Sequence, residues 1–233
     1  MKVIVLYMFR NSKDRMPVFI ILSLSALDFY MYFTQSSIMV LAIYWLVFLI
    51  PKANICAWNH HHQHNMVFRH KALNRVLEFF YALHTGAVTN IWVLHHNLGH
   101  HCNFLNQEND ESRWKYKNGK PMSELAYTFI IAATGYSRAY SVGKEHKKHQ
   151  RRFVIFGGLT FLILALLVAF NPVAALLLFV LPMIASLLFT AWTTYDHHAG
   201  LDSDDQFEAS FNKLNWLYNR VTGNLGYHTA HHY

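Results

Sequence analysis

The chain has 233 residues, enough for one domain or two small ones, and a formal charge of +7. Only 14% of its residues are charged, against a typical ~25%, and 53% are hydrophobic, which excludes a disordered chain. Two cysteines, Cys56 and Cys102, exclude a disulfide scaffold and a cysteine-type zinc or iron–sulfur site. The basic, aromatic balance would suit nucleic acid, but the apolar residues lie in long blocks, which points to lipid and to no nucleic-acid partner.

Residues 1–15 (MKVIVLYMFRNSKDR) are too mixed for a signal peptide, so the first apolar segment is expected to be retained. Val18 to Phe33 is short for a span and carries Asp28. An acid inside a span marks a functional site by default, while a place near the far interface, before a turn at Thr34-Gln35-Ser36-Ser37, is the bland alternative. Ser37 to Ile50 reads as a span that runs past Pro51 towards Trp58. Val76 to Leu94, which holds Glu78, His84 and Asn90, is expected to be one re-entrant or protein-buried helix. Residues 106–120 (NQENDESRWKYKNGK) form a polar loop, and residues 143–152 (GKEHKKHQRR) a basic anchor. Phe153 to Phe170 gives 18 uncharged residues, Asn171-Pro172 a turn, and Val173 to Trp192 20 more uncharged residues with Pro182 inside.

These segments predict an all-α membrane protein, a single domain over 1–233, with about four transmembrane helices in two hairpins. The turns at 34–37 and at Asn171-Pro172 contain no Lys or Arg. The positive-inside rule therefore puts both termini and the central region on the cytoplasmic side, provided that 76–94 does not cross.

Histidine is the unusual residue, 17 of 233. Four clusters stand out: Asn59-His60-His61-His62-Gln63-His64, His95-His96-Asn97-Leu98-Gly99-His100-His101, Asp196-His197-His198 and His228-Thr229-Ala230-His231-His232. Span parity places all four on the cytoplasmic side. His60 with His64, His96 with His100, and His228 with His231 and His232 have the i, i+3 or i, i+4 spacing that shares one helix face. Each cluster is thus expected to aim two or three imidazoles at one point, and neutral imidazole ligates Zn, Cu, Fe and Ni. Nine or more such groups exceed one tetrahedral site, so two metals are expected. The chain has no ExxH pair of the soluble diiron bundles. Asp196, Asp202, Asp204 and Asp205 are candidates to orient ligands or, for the last three, a solvated acidic loop. His70, His84, His146 and His149 are ungrouped.

HHNLGHH and GYHTAHH, with NHHHQH upstream and YDHHAGL after the last span, resemble the histidine boxes of the integral-membrane fatty acid desaturases and of the related alkane and lipid hydroxylases. The resemblance implies a four-helix membrane core, a cytosolic histidine-rich cap and two non-haem irons. The ligands it implies are His60 and His64; His96, His100 and His101; His198; and His228, His231 and His232. His61 and His62 leave the first-box register open, and His197, Asp196 and Asn224 are implied as further ligands or as groups that orient ligands. The HxxxHH of the second box is one residue longer than the HxxHH usual in desaturases and nearer the hydroxylase-type pattern. Relatives usually continue past the last box, so the chain is expected either to be cut short at Tyr233 or to have a minimal cap.

The implied reaction is O2-dependent desaturation of a fatty acyl lipid in an apolar tunnel, with Phe79, Phe80, Tyr81 and Trp92 as candidate lining residues. Hydroxylation on the same scaffold is the alternative, and a non-catalytic histidine-rich metal carrier a third reading. With no nucleotide loop and no redox centre of its own, the chain would need a separate ferredoxin-, rubredoxin- or cytochrome-like electron donor. Arg113, Lys115, Lys117, Lys144, Lys147 and Lys148 offer it a basic cytosolic surface. The expected location is multi-pass in a bacterial inner membrane.

Overall fold

The computed structural model describes residues 8–35, 37–103, 105–203, 205 and 207–232. Residues 1–7, Ser36 of the expected turn, Asp204 of the acidic loop and Tyr233 lie outside the described residues. Every regular element among the described residues is helical: α1 Arg15–Thr34, α2 Ile38–His64, α3 Lys71–Thr85, α4 Val93–His101, α5 Glu124–Gly143, α6 Lys147–Phe170, α7 Pro172–His198, α8 Trp216–Thr222 and α9 His228–His232. Three helical segments, Ser12–Thr34, Lys147–Phe170 and Pro172–His198, are long and apolar enough to cross a membrane. α2 makes a fourth if its two arms, Ile38–Lys52 and Asn54–His64, count as one span bent by 45°. Pro51 accounts for the bend, because its ring lacks an N–H and crowds the preceding turn. At Asn171-Pro172 the Asn171 side chain accepts from Ala174 N, and proline takes the first helical position, where no N–H is missed.

The chain divides into two compact units, Met1–Thr89 with Arg152–Ser186, and Asn90–Arg151 with Leu187–Tyr233. In the first, α1 buries Val18, Ile21, Leu24, Ser25, Asp28 and Tyr32 along one stripe and leaves Met16, Phe19, Leu22 and Phe33 exposed. An apolar exposed face of this kind suits lipid. Tyr32, Leu41, Tyr44, Leu83, Ala174, Leu178 and Phe179 form one core cluster, and Tyr32 Oη donates to Leu167 O at 2.7 Å. Tyr81, expected as a tunnel residue, is buried in a second cluster with Ile21, Ile55 and Leu77.

The expectation of one helix over 76–94 is corrected. α3 stops at Thr85, where Gly86 caps it at φ 68°, and helical structure resumes only at Ile91, so two separate elements share this stretch. The reason is local: a left-handed residue costs glycine little and ends the helical hydrogen-bond ladder.

Asp28 is buried within the protein. It is 1% exposed, and Lys52, 3% exposed, donates to both its carboxylate oxygens at 2.9 Å. Tyr44 Oη donates to Oδ1 at 2.7 Å, and Ser25 Oγ meets His84 Nε2 at 2.9 Å. Away from water such a pair persists only when its hydrogen bonds are made within the protein.

In the second unit, Trp114, Met122, Tyr127, Ile131 and Ala191 form the core. The stretch 106–120 is no free loop. Tyr127 Oη donates to Ser112 O at 2.9 Å, Arg138 Nη1 to Glu111 O at 2.9 Å, and Asp110 is 1% exposed.

Candidate metal centre

Histidine geometry begins on α2, in the first unit. His60 and His64 lie one turn apart as expected, their rings stacked and their Nε2 atoms 3.2 Å from each other. The other two histidines of this box lie differently. His62 is buried on another face, its Nδ1 accepts from Val67 N at 3.3 Å, and its Nε2 faces Glu78 Oε1 at 3.4 Å. Both ring nitrogens are engaged, which leaves His62 no lone pair for a metal. His61 is exposed.

In the second unit, α4 is a π-helix whose i→i+5 bonding widens each turn. His96 and His100 share a face as expected, ring centroids 5.2 Å apart, but their ligand atoms fall in different groups. His96 lines up with His101, Nε2 to Nε2 at 2.8 Å, and His231 of α9 completes a triangle at 3.0 and 3.2 Å. His100 joins His198 and His232, whose ligand atoms all lie within 4.8 Å of one another. His228 Nε2 stands 3.0 Å from His198 Nε2 and 3.2 Å from His232 Nε2. The last box thus divides, His231 to one group and His228 with His232 to the other, rather than aiming all three rings at one point.

Partner chemistry fixes several tautomers. His100 Nδ1 lies 2.9 Å from both oxygens of Asp110, so this nitrogen carries the proton and Nε2 the lone pair. His198 Nδ1 donates to Ala209 O at 2.8 Å, and His197 Nδ1 to Phe211 O at 2.8 Å. His197 stacks flat on His228, centroids 4.2 Å apart, and its buried Nε2 meets no hydrogen-bond partner among the described residues. Lone pairs converging at about 3 Å repel one another unless a shared proton or a cation sits among them, and imidazole bound to a metal has N at about 2 Å from it. The donor set could therefore hold metal. Burial first, then the neighbouring histidines, holds His228 and His232 below the ordinary imidazole range, so both stay neutral and able to ligate.

Other expected orienting groups are placed elsewhere. Asp196 pairs with Lys213 Nζ, Asp202 lies 3.7 Å from Lys115, and Asp205 Oδ1 accepts from Phe207 N. Asn224 is exposed, left-handed at φ 69°, and its N–H donates to Asn219 O in the turn after α8. The orienting carboxylate is Asp110, ten residues past His100, which the sequence marked only as part of a polar stretch. Its two oxygens also accept from Leu105 N and Ser112 N at 3.0 and 2.6 Å. Gly99 makes the local packing possible, since a Cβ there would meet Glu111 Cγ at 2.7 Å.

His95, on the same π-helix, is 4% exposed and neither ring nitrogen has a hydrogen-bond partner among the described residues. Burial, then Arg138 and His100, pushes it down to about 3. Below the unfolded value the unfolded chain takes up a proton that the folded chain refuses. Stability of the metal-free protein is thus expected to fall as pH drops from about 6.5 towards 3, by about 1.4 kcal/mol per unit per such group. Denaturant midpoints measured across that range check this, and His95→Leu should make the profile shallower. An unchanged slope in that variant would show that His95 titrates freely.

A family model described as fatty acid desaturase matches residues 36–233. No curated protein and no solved structure matches the chain.

Proposed function

Because the chain belongs to the fatty acid desaturase family, we propose that it is a membrane-bound non-haem diiron oxidoreductase that desaturates a fatty acyl chain with O2 and two external electrons. The observation that carries this reading is the convergence of imidazole nitrogens supplied by the HHNLGHH and GYHTAHH boxes. The proposed ligands are His60, His64, His96, His100, His101, His198, His228, His231 and His232, with His197 Nε2 available beside them.

The irons would supply activation of O2 and removal of two hydrogens from adjacent methylenes. Overall, –CH2–CH2– with O2, two electrons and two protons gives –CH=CH– and two waters. The protein's own share is positional. Asp110, Ala209 O and Phe211 O hold rings of His100, His198 and His197 in the tautomer that presents Nε2. Burial keeps His228 and His232 unprotonated. The apolar helices of the first unit suit a lipid substrate held away from water.

The proposed layout is two membrane hairpins with both termini and the histidine boxes on the cytoplasmic side of a bacterial inner membrane, as the Lys- and Arg-free turns favour. A separate ferredoxin-, rubredoxin- or cytochrome-like carrier would deliver the electrons. Lys117, Lys144, Lys147 and Lys148 are exposed and suit an acidic partner. Hydroxylation is the second reading, and the HxxxHH spacing favours it.

Lipid mass spectrometry of cells expressing the chain with an electron donor tests the reading. Acyl products lighter by two hydrogens than those of control cells are expected. Products heavier by one oxygen would transfer the proposal to hydroxylation. Purified protein holding zinc or copper but no iron, with no altered lipid, would leave only the metal carrier.

A further inference from the structure

Two rows of side chains interleave on the last turns of α2. His60 and His64 form one row. Asn59 and Gln63, each one residue earlier, form the other, a rotation of about 100° around the helix. The second row is buried. Asn59 Nδ2 donates to Thr85 Oγ1 at 2.9 Å and to Ala87 O at 3.2 Å. Gln63 Nε2 donates to Asn59 Oδ1 at 3.2 Å and to Val88 O at 3.5 Å. Thr85 closes the set, its hydroxyl donating to Tyr81 O and accepting from Ala87 N.

We propose that Asn59 and Gln63 are positioning residues, which lock the rotation of α2 against the turn at 85–88 and so aim the His60–His64 pair. What that pair binds rests on the proposed function; how it is aimed does not. The physical lock is the cost of turning away. A rotated helix would leave buried amide donors and two backbone carbonyls unpaired, and each orphaned group is expensive. Lys52, seven residues before Asn59, and His62 add contacts to Asp28 and Glu78 from the same helix. Apolar packing of Ile55, Cys56 and Ala57 favours the same face, and the amide contacts add the directional part of the preference.

The test is histidine carbethoxylation by diethyl pyrocarbonate on the full chain in detergent without metal, read site by site by peptide mass spectrometry. In the wild type His64 should react quickly and His62 should be protected. In Thr85→Val, which removes the acceptor of Asn59 and keeps the shape, and in Gln63→Leu, the His64 to His62 rate ratio should fall about fivefold or more. Thr85→Ser restores the acceptor and should restore the ratio. Circular dichroism confirms that each variant is helical, and either folded variant suffices. A wild-type ratio in every folded variant that lacks the contact overturns the proposal. Iron uptake is measured in parallel: wild-type protein that takes up no iron would sink the diiron reading and leave the rotation result standing.

Discussion

Alanine at Asp110 is expected to weaken metal binding 10- to 100-fold, and alanine at His100 to abolish acyl oxidation altogether. Asp110 never reaches a metal through its own oxygens in this arrangement; both lie 2.9 Å from His100 Nδ1. Its effect therefore passes through the ring. The carboxylate fixes the Nδ1–H tautomer, orients Nε2 towards His198 and His232, and raises the basicity of the nitrogen that ligates. Loss of such an orienting partner typically costs this range in affinity. Asp110 also accepts from Leu105 N and Ser112 N, so Asp110→Asn is the informative companion. It keeps one oxygen for the imidazole and surrenders one backbone donor, and should fall between wild type and Asp110→Ala. Chelator competition on purified protein gives the affinities, and lipid profiling gives the activity. Wild-type affinity in Asp110→Ala would show that packing alone holds His100. Unaltered product formation by His100→Ala would remove His100 from the ligand set.

Methionine at Lys52 should destabilise the protein by about 3–5 kcal/mol, the cost of stranding a buried carboxylate. Asp28 would keep Tyr44 as a donor but lose both contacts to the ammonium. Both groups are buried by protein, so solvent would not readily replace those contacts. The double variant Asp28→Asn with Lys52→Met removes both charges and should recover most of the loss, because a buried ion pair replaced as a pair is often near neutral. Unfolding in detergent micelles, followed by helical circular dichroism, measures all three proteins. A single variant within about 1 kcal/mol of wild type would mean that water reaches Asp28.

The two largest effects fall on residues of unequal visibility in the sequence. Asp28 stands out as an acid in an apolar run, yet nothing in its neighbourhood names Lys52, which lies 24 residues away beyond a turn. Asp110 is one of several acids in a polar stretch. Its role depends on the fold of 105–112, where backbone N–H groups and His100 converge on the same carboxylate.

Span length, the uncharged turn at Asn171-Pro172 and the four histidine clusters were legible because they depend on composition and on neighbours a few residues apart. Those features alone determine an all-helical chain with helices long and apolar enough to cross a membrane and with desaturase-type boxes. Tertiary structure decided what spacing could not: that α4 widens to a π-helix and pairs His96 with His101, that His231 parts from His228 and His232, and that His62 turns to Glu78. The physical reason is that a ring's direction depends on what its second nitrogen bonds to. Those partners, Asp110, Ala209 O, Phe211 O and Glu78, are brought into place only by the folded chain.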